Sequence, residues 1–372
     1  MGKTNRRNRE RKKQEINISQ GKADNKIIHI LRWLPLVILI IFVVIVRVHL
    51  LDVPLERDEG GYAYSGQLIL KGIPPYELTN NIHLPGPDVL YAVFMAAFGR
   101  STVGIHIGLL IVNIATIILI FLLLRYMLNA LAGFVGACTY AILSLSQSVL
   151  GTQAHATHFI AFFVIAGVII LLRAIDEEKN MLFFYSGILF GMAFLMKHSG
   201  FFFIIFGILY VILKQLQIRP LAWKIFIKCA IFLLGAILPF GVTCLTLFFM
   251  GVFDKFWFWT FICAFMHTSQ ISFSEAIFYL RSALIALVKP YSLIWLIGGL
   301  GFVCLFIFIN EKSKKYILFI VLFLFFSFLS TCPGFVFRNH YFVTLLPAIA
   351  LLTGYCVFLM SDTAAPAFRI IP

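Results

Sequence analysis

Residues 101–124 read STVGIHIGLLIVNIATIILIFLLL, a run of 24 without a single Asp, Glu, Lys or Arg. An α-helix needs about 20 mainly apolar residues to cross the hydrocarbon core of a bilayer, and this run exceeds that. Further apolar runs stand at about 31–50, 131–150, 157–173, 181–196, 199–213, 226–249, 288–309, 316–332 and 341–360. The segment 86–98, GPDVLYAVFMAAF, is too short to span by itself. It reads as interfacial or as a lead-in to the run that follows.

Composition points the same way. Of 372 residues, 61% are hydrophobic, 41 are Phe and only 12% are charged. Soluble domains are about half apolar and about a quarter charged, so a soluble globular domain is excluded. The runs carry no Asn-Gly or Asp-Gly hairpin signal and no polar alternation, which argues against a membrane β-barrel. The expected fold is an all-α polytopic membrane protein with about ten transmembrane helices. Its first extracytoplasmic loop is long and is expected to carry interfacial helices.

The net charge of +14 raises nucleic acid as a partner, but nine of the Lys and Arg residues fall within the first 26 positions. Residues 1–30 therefore read as a basic, disordered cytoplasmic tail that sets topology and meets anionic membrane lipid; no nucleic acid is expected. The tail lacks a signal-peptide cleavage pattern. With it inside, the inner loops carry Arg125, Arg173, Lys179, Lys214, Arg219, Lys224, Lys228, Lys312, Lys314 and Lys315, the longer outer segments carry eight Lys and Arg, and once the tail is counted the positive-inside rule is satisfied. Histidines sort the other way. His49, His83, His106, His155, His158, His198, His267 and His340 fall at outer ends or loops, and only His29 lies inside. Such a one-sided set from separate segments suggests a shared polar cavity on the outer face. The seven cysteines are scattered without a C-x-x-C and read as small apolar residues.

Residues 55–77, LERDEGGYAYSGQLILKGIPPYE, open the first outer loop. Asp58 reads as the N-cap of a helix from about Glu59 to Lys71, stopped by Gly72, with Pro74 and Pro75 beyond. As a cap it would contribute about 1 kcal/mol. The other reading is chemical. A sugar that leaves a lipid phosphate leaves an anion behind, so positive charge serves the leaving group, and one carboxylate suffices as base for the acceptor hydroxyl. Glycoside hydrolysis, by contrast, ordinarily uses two carboxylates. Gly60 and Gly61 would let backbone approach a bulky substrate.

The stretches ERDEGGYAYSGQLILKGIPPYE, LPGPDVLYAVFMAAFG, GIHIGLLIVN, AHATHF, GMAFLMKHSGFFF and RNHYFVTLLPAIALLTG together resemble the membrane core of the GT-C glycosyltransferases. The branch resembled includes protein O-mannosyltransferases and the bacterial transferases that add aminoarabinose to lipid A. The resemblance runs over about residues 31–360 and implies a GT-C-like transmembrane catalytic domain there, between the tail 1–30 and a short C-terminal tail, 361–372. It implies transfer of a hexose or pentose from a polyprenyl-phosphate donor to a lipid, glycan or protein acceptor. It also implies a bacterial or archaeal plasma membrane, with the active site on the extracytoplasmic side. Many relatives continue into a soluble C-terminal domain, whereas this sequence ends a dozen residues past its last apolar run.

The same resemblance assigns roles. The acidic residue of the family's first outer loop acts as catalytic base or positions the acceptor, which matches Asp58, with Glu59 beside it; Tyr62, which follows Gly60 and Gly61 in the same loop, is a candidate substrate contact on its position alone. NIHLPGP puts His83 where the family often has a Lys-Pro-Pro or similar basic element near the lipid phosphate, and a His is charged only part of the time near neutral pH. Lys197, in FLMKHSG, resembles the family's Leu-Thr-Lys-Gly type turn and is a second phosphate candidate; snorkelling from a helix end is the alternative. In FRNHYF, Arg338 suits bidentate phosphate contact, with His340 and Tyr341 beside it, although Tyr341 reads equally well as an interface anchor.

His155 and His158, three apart, read as cavity lining, since two His with no nearby acid make a weak metal site. The first loop has no D-x-D pair, and no metal or cofactor is expected. The loop 251–283, with FDKFWFWTF, reads as an interfacial aromatic belt. A transporter or lipid flippase is the rival class. The sequence shows no internal repeat, and its ionisable residues gather at span ends rather than at the midplane, which favours the enzyme.

Overall fold

The computed structural model describes residues 33–218, 221–268, 271–308 and 311–368. The basic tail 1–30 with His29, and Arg219, lie outside them. The described residues are helical without a strand, as the apolar runs require. The chain forms two compact units that divide between Ile45 and Val46. The first contains most of the helix Leu34–Val48, and everything below belongs to the second.

Among the described residues, five segments are long and apolar enough to cross a membrane: Thr102–Met127, Ala156–Glu177, His198–Gln217, Ala222–Phe249 and Phe273–Ile307. Five more apolar helices have 10–17 residues, including Gly86–Phe98, the short segment expected from sequence. Length alone therefore does not establish ten crossing helices.

Two boundaries differ from the sequence reading for identifiable reasons. The run 131–150 stops as a helix at Ser144 and turns through a short 3-10 segment, Gln147–Val149. Arg47 closes that turn: Nη2 donates to the carbonyls of Ser144 and Gly151 at 3.2 and 3.0 Å, and Nε donates to Asn113 Oδ1 at 3.2 Å. The buried guanidinium satisfies carbonyls that a continuing helix would have used. Further on, Phe273–Val288 continues through a 3-10 turn, Lys289–Tyr291, into Ser292–Ile307. Pro290 has no amide to keep one helical ladder running. The aromatic loop is shortened accordingly, and Phe258–Cys263 forms a π-helical turn. The last helix runs from Leu346 to Phe368.

Helix Ala222–Phe249 lies against Asn180–Met196, which lies in turn against Ala156–Glu177. A Cβ on Gly187 would stand 2.1 Å from the Phe232 carbonyl oxygen. Only glycine lets those two backbones touch, which is how helices associate where lipid removes the hydrophobic drive. Gly86 does the same nearer the site: a Cβ there would stand 2.4 Å from the Leu195 carbonyl oxygen. Helix Gly86–Phe98 thus begins against the end of Asn180–Met196, bringing the His83 loop toward the Lys197 turn.

Helix Ala156–Glu177 has 22 residues and is therefore about 33 Å long. Its far end carries ion pairs from Lys315 to Asp176 at 2.7 Å and from Lys228 to Glu178 at 2.8 Å. His155 and the acidic loop sit at the other end.

Candidate active site

Glu56, not Asp58, caps the helix Arg57–Leu70. Its carboxylate accepts the backbone N–H of Asp58 at 2.7 Å, and Glu59 Oε2 accepts the N–H of Glu56 at 2.9 Å, closing a reciprocal capping box. The physical reason is position. Glu56 has the extended backbone of a cap, while Asp58 already lies inside the first helical turn. The stop is as expected, with Gly72 at φ 78° after Lys71.

The two neighbouring carboxylates have different surroundings. Glu59 is fully buried. Its Oε1 accepts the Ala154 N–H and meets His106 Nε2 at 3.1 Å. His106 Nδ1 donates to the Leu51 carbonyl at 2.9 Å, so one proton lies between the ring and Glu59. Asp58 instead keeps 27% of its side chain exposed. One oxygen pairs with the Arg57 guanidinium at 3.2 Å, and the other lies 3.9 Å from His340 Nε2.

The rest of the site gathers around Asp58. The His340 ring stacks on His155 with centroids 3.9 Å apart and planes 8° from parallel. Tyr341 meets His340 edge-on at 4.8 Å, and Lys197 Nζ stands 3.5 Å from the centre of the Tyr341 ring. Arg338 is exposed just before the 3-10 turn Asn339–Thr344. Burial pulls the Lys197 ammonium down to about 7; Asp58 opposes that shift and Arg338 adds to it. Burial also lowers His155 and His340 and raises the Tyr341 hydroxyl.

Among the described residues, neither ring nitrogen of His155 has a hydrogen-bond partner, nor has either nitrogen of His158, one turn deeper. His155, His340 and Asp58 each offer one ligand atom, all within 4.8 Å of one another. One carboxylate with two imidazoles is a donor set suited to a divalent ion such as zinc. The acid that the sequence does not place near His155 is supplied by tertiary structure.

His83 lies alongside. Its Nε2 is 3.0 Å from Asp88 Oδ1, and Asn81 Nδ2 donates to the other Asp88 oxygen at 3.3 Å and to Ser65 at 2.7 Å. Tyr62 stands edge-on to His83 at 4.6 Å and to Tyr91 at 5.4 Å. Burial raises the Asp88 carboxyl, with His83 and Asn81 opposing. Burial likewise takes the Tyr62 hydroxyl well above its usual value, and the charges of Asp58 and Asp88 add to this.

The structure thus brings Asp58, His155, His340, Tyr341 and Lys197 together, with Arg338 near them electrostatically. Tyr62 and His83 form an adjoining group, His158 lies deeper, and Glu59 is sealed behind. Of the other histidines expected on the outer face, His198 turns to the Thr260 carbonyl at 3.0 Å, and the His267 side chain lies outside the described residues. Sequence reasoning missed Glu56, Asn81 and Asp88. For Asp88 a signal existed: an ionisable residue in the first turn of an otherwise apolar segment.

Residues 83–243 match the family model described as dolichyl-phosphate-mannose-protein mannosyltransferase. No curated protein sequence matches the chain. Among solved structures, the fold is similar to that of ArnT from Cupriavidus metallidurans bound to undecaprenyl phosphate. The TM-score is 0.63 at 16% identity, over 89% of this chain and 63% of that one. It is also similar to the oligosaccharyltransferase AglB of Archaeoglobus fulgidus with an inhibitory peptide and a dolichol-phosphate, at TM-score 0.53 and 12% identity over 90% and 51% of the two chains. A further Archaeoglobus fulgidus oligosaccharyltransferase structure, in complex with zinc and sulfate, gives TM-score 0.52 and 12% identity over 89% and 50%. The chain therefore spans less than two thirds of each of these proteins. On its helical architecture and these likenesses, the chain has the fold of the GT-C glycosyltransferases, and its residues 83–243 match the mannosyltransferase family.

Proposed function

We propose that this chain is an integral-membrane glycosyltransferase that moves a hexose or pentose from a polyprenyl-phosphate donor to an acceptor hydroxyl on the extracytoplasmic side. The observation that carries the reading is the division between two adjacent carboxylates. Glu59 is buried and fully engaged, while Asp58 is open beside Lys197, Tyr341 and His340. The fold neighbours bound to undecaprenyl phosphate and dolichol-phosphate support a lipid-linked donor.

In the proposed step the acceptor oxygen attacks the anomeric carbon and its proton passes to Asp58. The bond from that carbon to the phosphate oxygen breaks, and the electron pair leaves with the lipid phosphate. Lys197, Arg338 and His83 hold the phosphate as its charge grows, so no acid need protonate it. Tyr341 keeps the Lys197 ammonium in place through its ring face, and Tyr62 does the same for the His83 ring. With one carboxylate facing the substrate, the transfer is a single displacement that inverts the anomeric carbon. The acceptor is a lipid, glycan or protein hydroxyl.

The test is to incubate purified protein with a panel of polyprenyl-phosphate sugars and an acceptor-rich membrane extract, following release of the lipid phosphate. Turnover by wild type and its loss in Asp58→Asn are expected. No turnover of any donor, or an Asp58→Asn variant as active as wild type, sinks the reading.

A further inference from the structure

Asp88 has no place in the step just described, yet it is a carboxylate with only 1% of its surface exposed in an apolar helix. A buried carboxylate persists where hydrogen bonds and a favourable field compensate it. Here it has both. It lies in the first turn of Gly86–Phe98, where the helix dipole favours negative charge. It also meets His83 Nε2 at 3.0 Å and Asn81 Nδ2 at 3.3 Å.

When Asp88 is ionised it only accepts hydrogen bonds; His83 Nε2 is then the donor in this pair and Nδ1 is the nitrogen left for other work. No described residue is bonded to Nδ1. The ring is held rather than loose: Tyr62 packs edge-on against it at 4.6 Å, and the Tyr76 hydroxyl donates to the His83 carbonyl at 2.8 Å. The side chain keeps 22% of its surface exposed, so part of the ring is open to a ligand. The ionisable groups near it are Asp88, Tyr62, Tyr76 and His198.

We infer that Asp88 is a positioning residue that makes His83 a phosphate ligand: it accepts Nε2–H, so the ring presents Nδ1–H to the phosphate of the lipid-linked donor. A ring between a carboxylate and a phosphate donates from both nitrogens, and the bound form is therefore the imidazolium. Asp88 is thus a functional part of the site without touching substrate. The inference rests on the proposed function and deepens it, assigning the partner that lets a histidine serve where a fixed cation would serve alone.

Undecaprenyl phosphate is the probe, with its affinity measured for wild type, Asp88→Asn, His83→Lys and the double variant. Asp88→Asn is expected to weaken binding by about tenfold, the loss of one charge-assisted contact. Lysine carries its charge unaided, so in the His83→Lys background the same Asp88→Asn change is expected to cost less than about twofold. His83→Gln, which leaves Asp88 in place, is expected to lose as much as Asp88→Asn and keeps the test open if Asp88→Asn does not fold. Unchanged affinity in Asp88→Asn or His83→Gln overturns the inference. So does an equal loss from Asp88→Asn in the His83→Lys background, which marks a merely structural carboxylate. Failure of wild type to bind the probe overturns the functional reading as well, and is distinguishable from the other outcomes.

Discussion

The Glu56 carboxylate accepts the backbone amide of Asp58 at 2.7 Å, and this contact frees the Asp58 side chain from capping its own helix. The first-loop helix is held at its start by Glu56 and Glu59, while Asp58 faces His340. Chemistry and stability are therefore assigned to different members of one acidic cluster, and they separate experimentally.

Asp58→Asn is expected to lower transfer by at least about a hundredfold, the lower range for removing a general base. Its thermal stability should stay near wild type, because the capping box does not use its carboxylate. Lipid-phosphate release and a melting curve on the same preparation check both halves.

Glu59→Gln is expected to behave in the opposite sense. The substitution disturbs a buried network that includes His106, the Ala154 amide and the Glu56 amide. Its cost should be about 3 kcal/mol, against about 1 kcal/mol for Glu56→Ala at the cap. Denaturation in one detergent ranks the two variants, and a Glu59→Gln protein as stable as wild type contradicts the assignment.

Donor affinity should fall as pH rises past about 7. Lys197 is pulled down to about 7 by burial, and its cationic form is the one that grips phosphate. That form predominates below this value and is lost above it, so the loss lies on the alkaline side. Lys197→Arg keeps its charge throughout and should flatten that limb. Titrating undecaprenyl phosphate binding across the range is the measurement; an alkaline limb unaltered by Lys197→Arg removes Lys197 from the phosphate site.

Zinc should inhibit. A zinc ion held by Asp58, His155 and His340 occupies the carboxylate proposed as base, so added zinc should slow transfer and a chelator should restore it. Zinc content after gel filtration should approach one per chain and drop in His155→Ala. Zinc that activates transfer, or binds equally well without His155, contradicts this arrangement.

Much of the fold was legible because lipid imposes simple requirements. Runs such as 157–173 and 181–196 satisfy their backbone hydrogen bonds locally and appear as the helices Ala156–Glu177 and Asn180–Met196. Gly72 marks its turn because its positive φ suits glycine. The early end of the helix Ala130–Ser144 was not legible, since the hydrogen bonds that replace it come from the distant Arg47. Nor was the cap: Glu56, Asp58 and Glu59 are all acids near a helix start, and their roles depend on backbone geometry and on His106 and Ala154.

By itself the sequence determined an apolar helical protein with an acidic stretch at Glu56, Asp58 and Glu59, because apolar run length and charge placement are local properties. Tertiary structure alone decided which carboxylate stays exposed and which is buried, which acid stands by His155, and that His83 is paired with Asp88. The first two are distances between residues far apart in the chain, brought together by the packing of separate helices, and the third depends on how the His83 loop folds back onto the start of Gly86–Phe98; a one-dimensional pattern carries none of them.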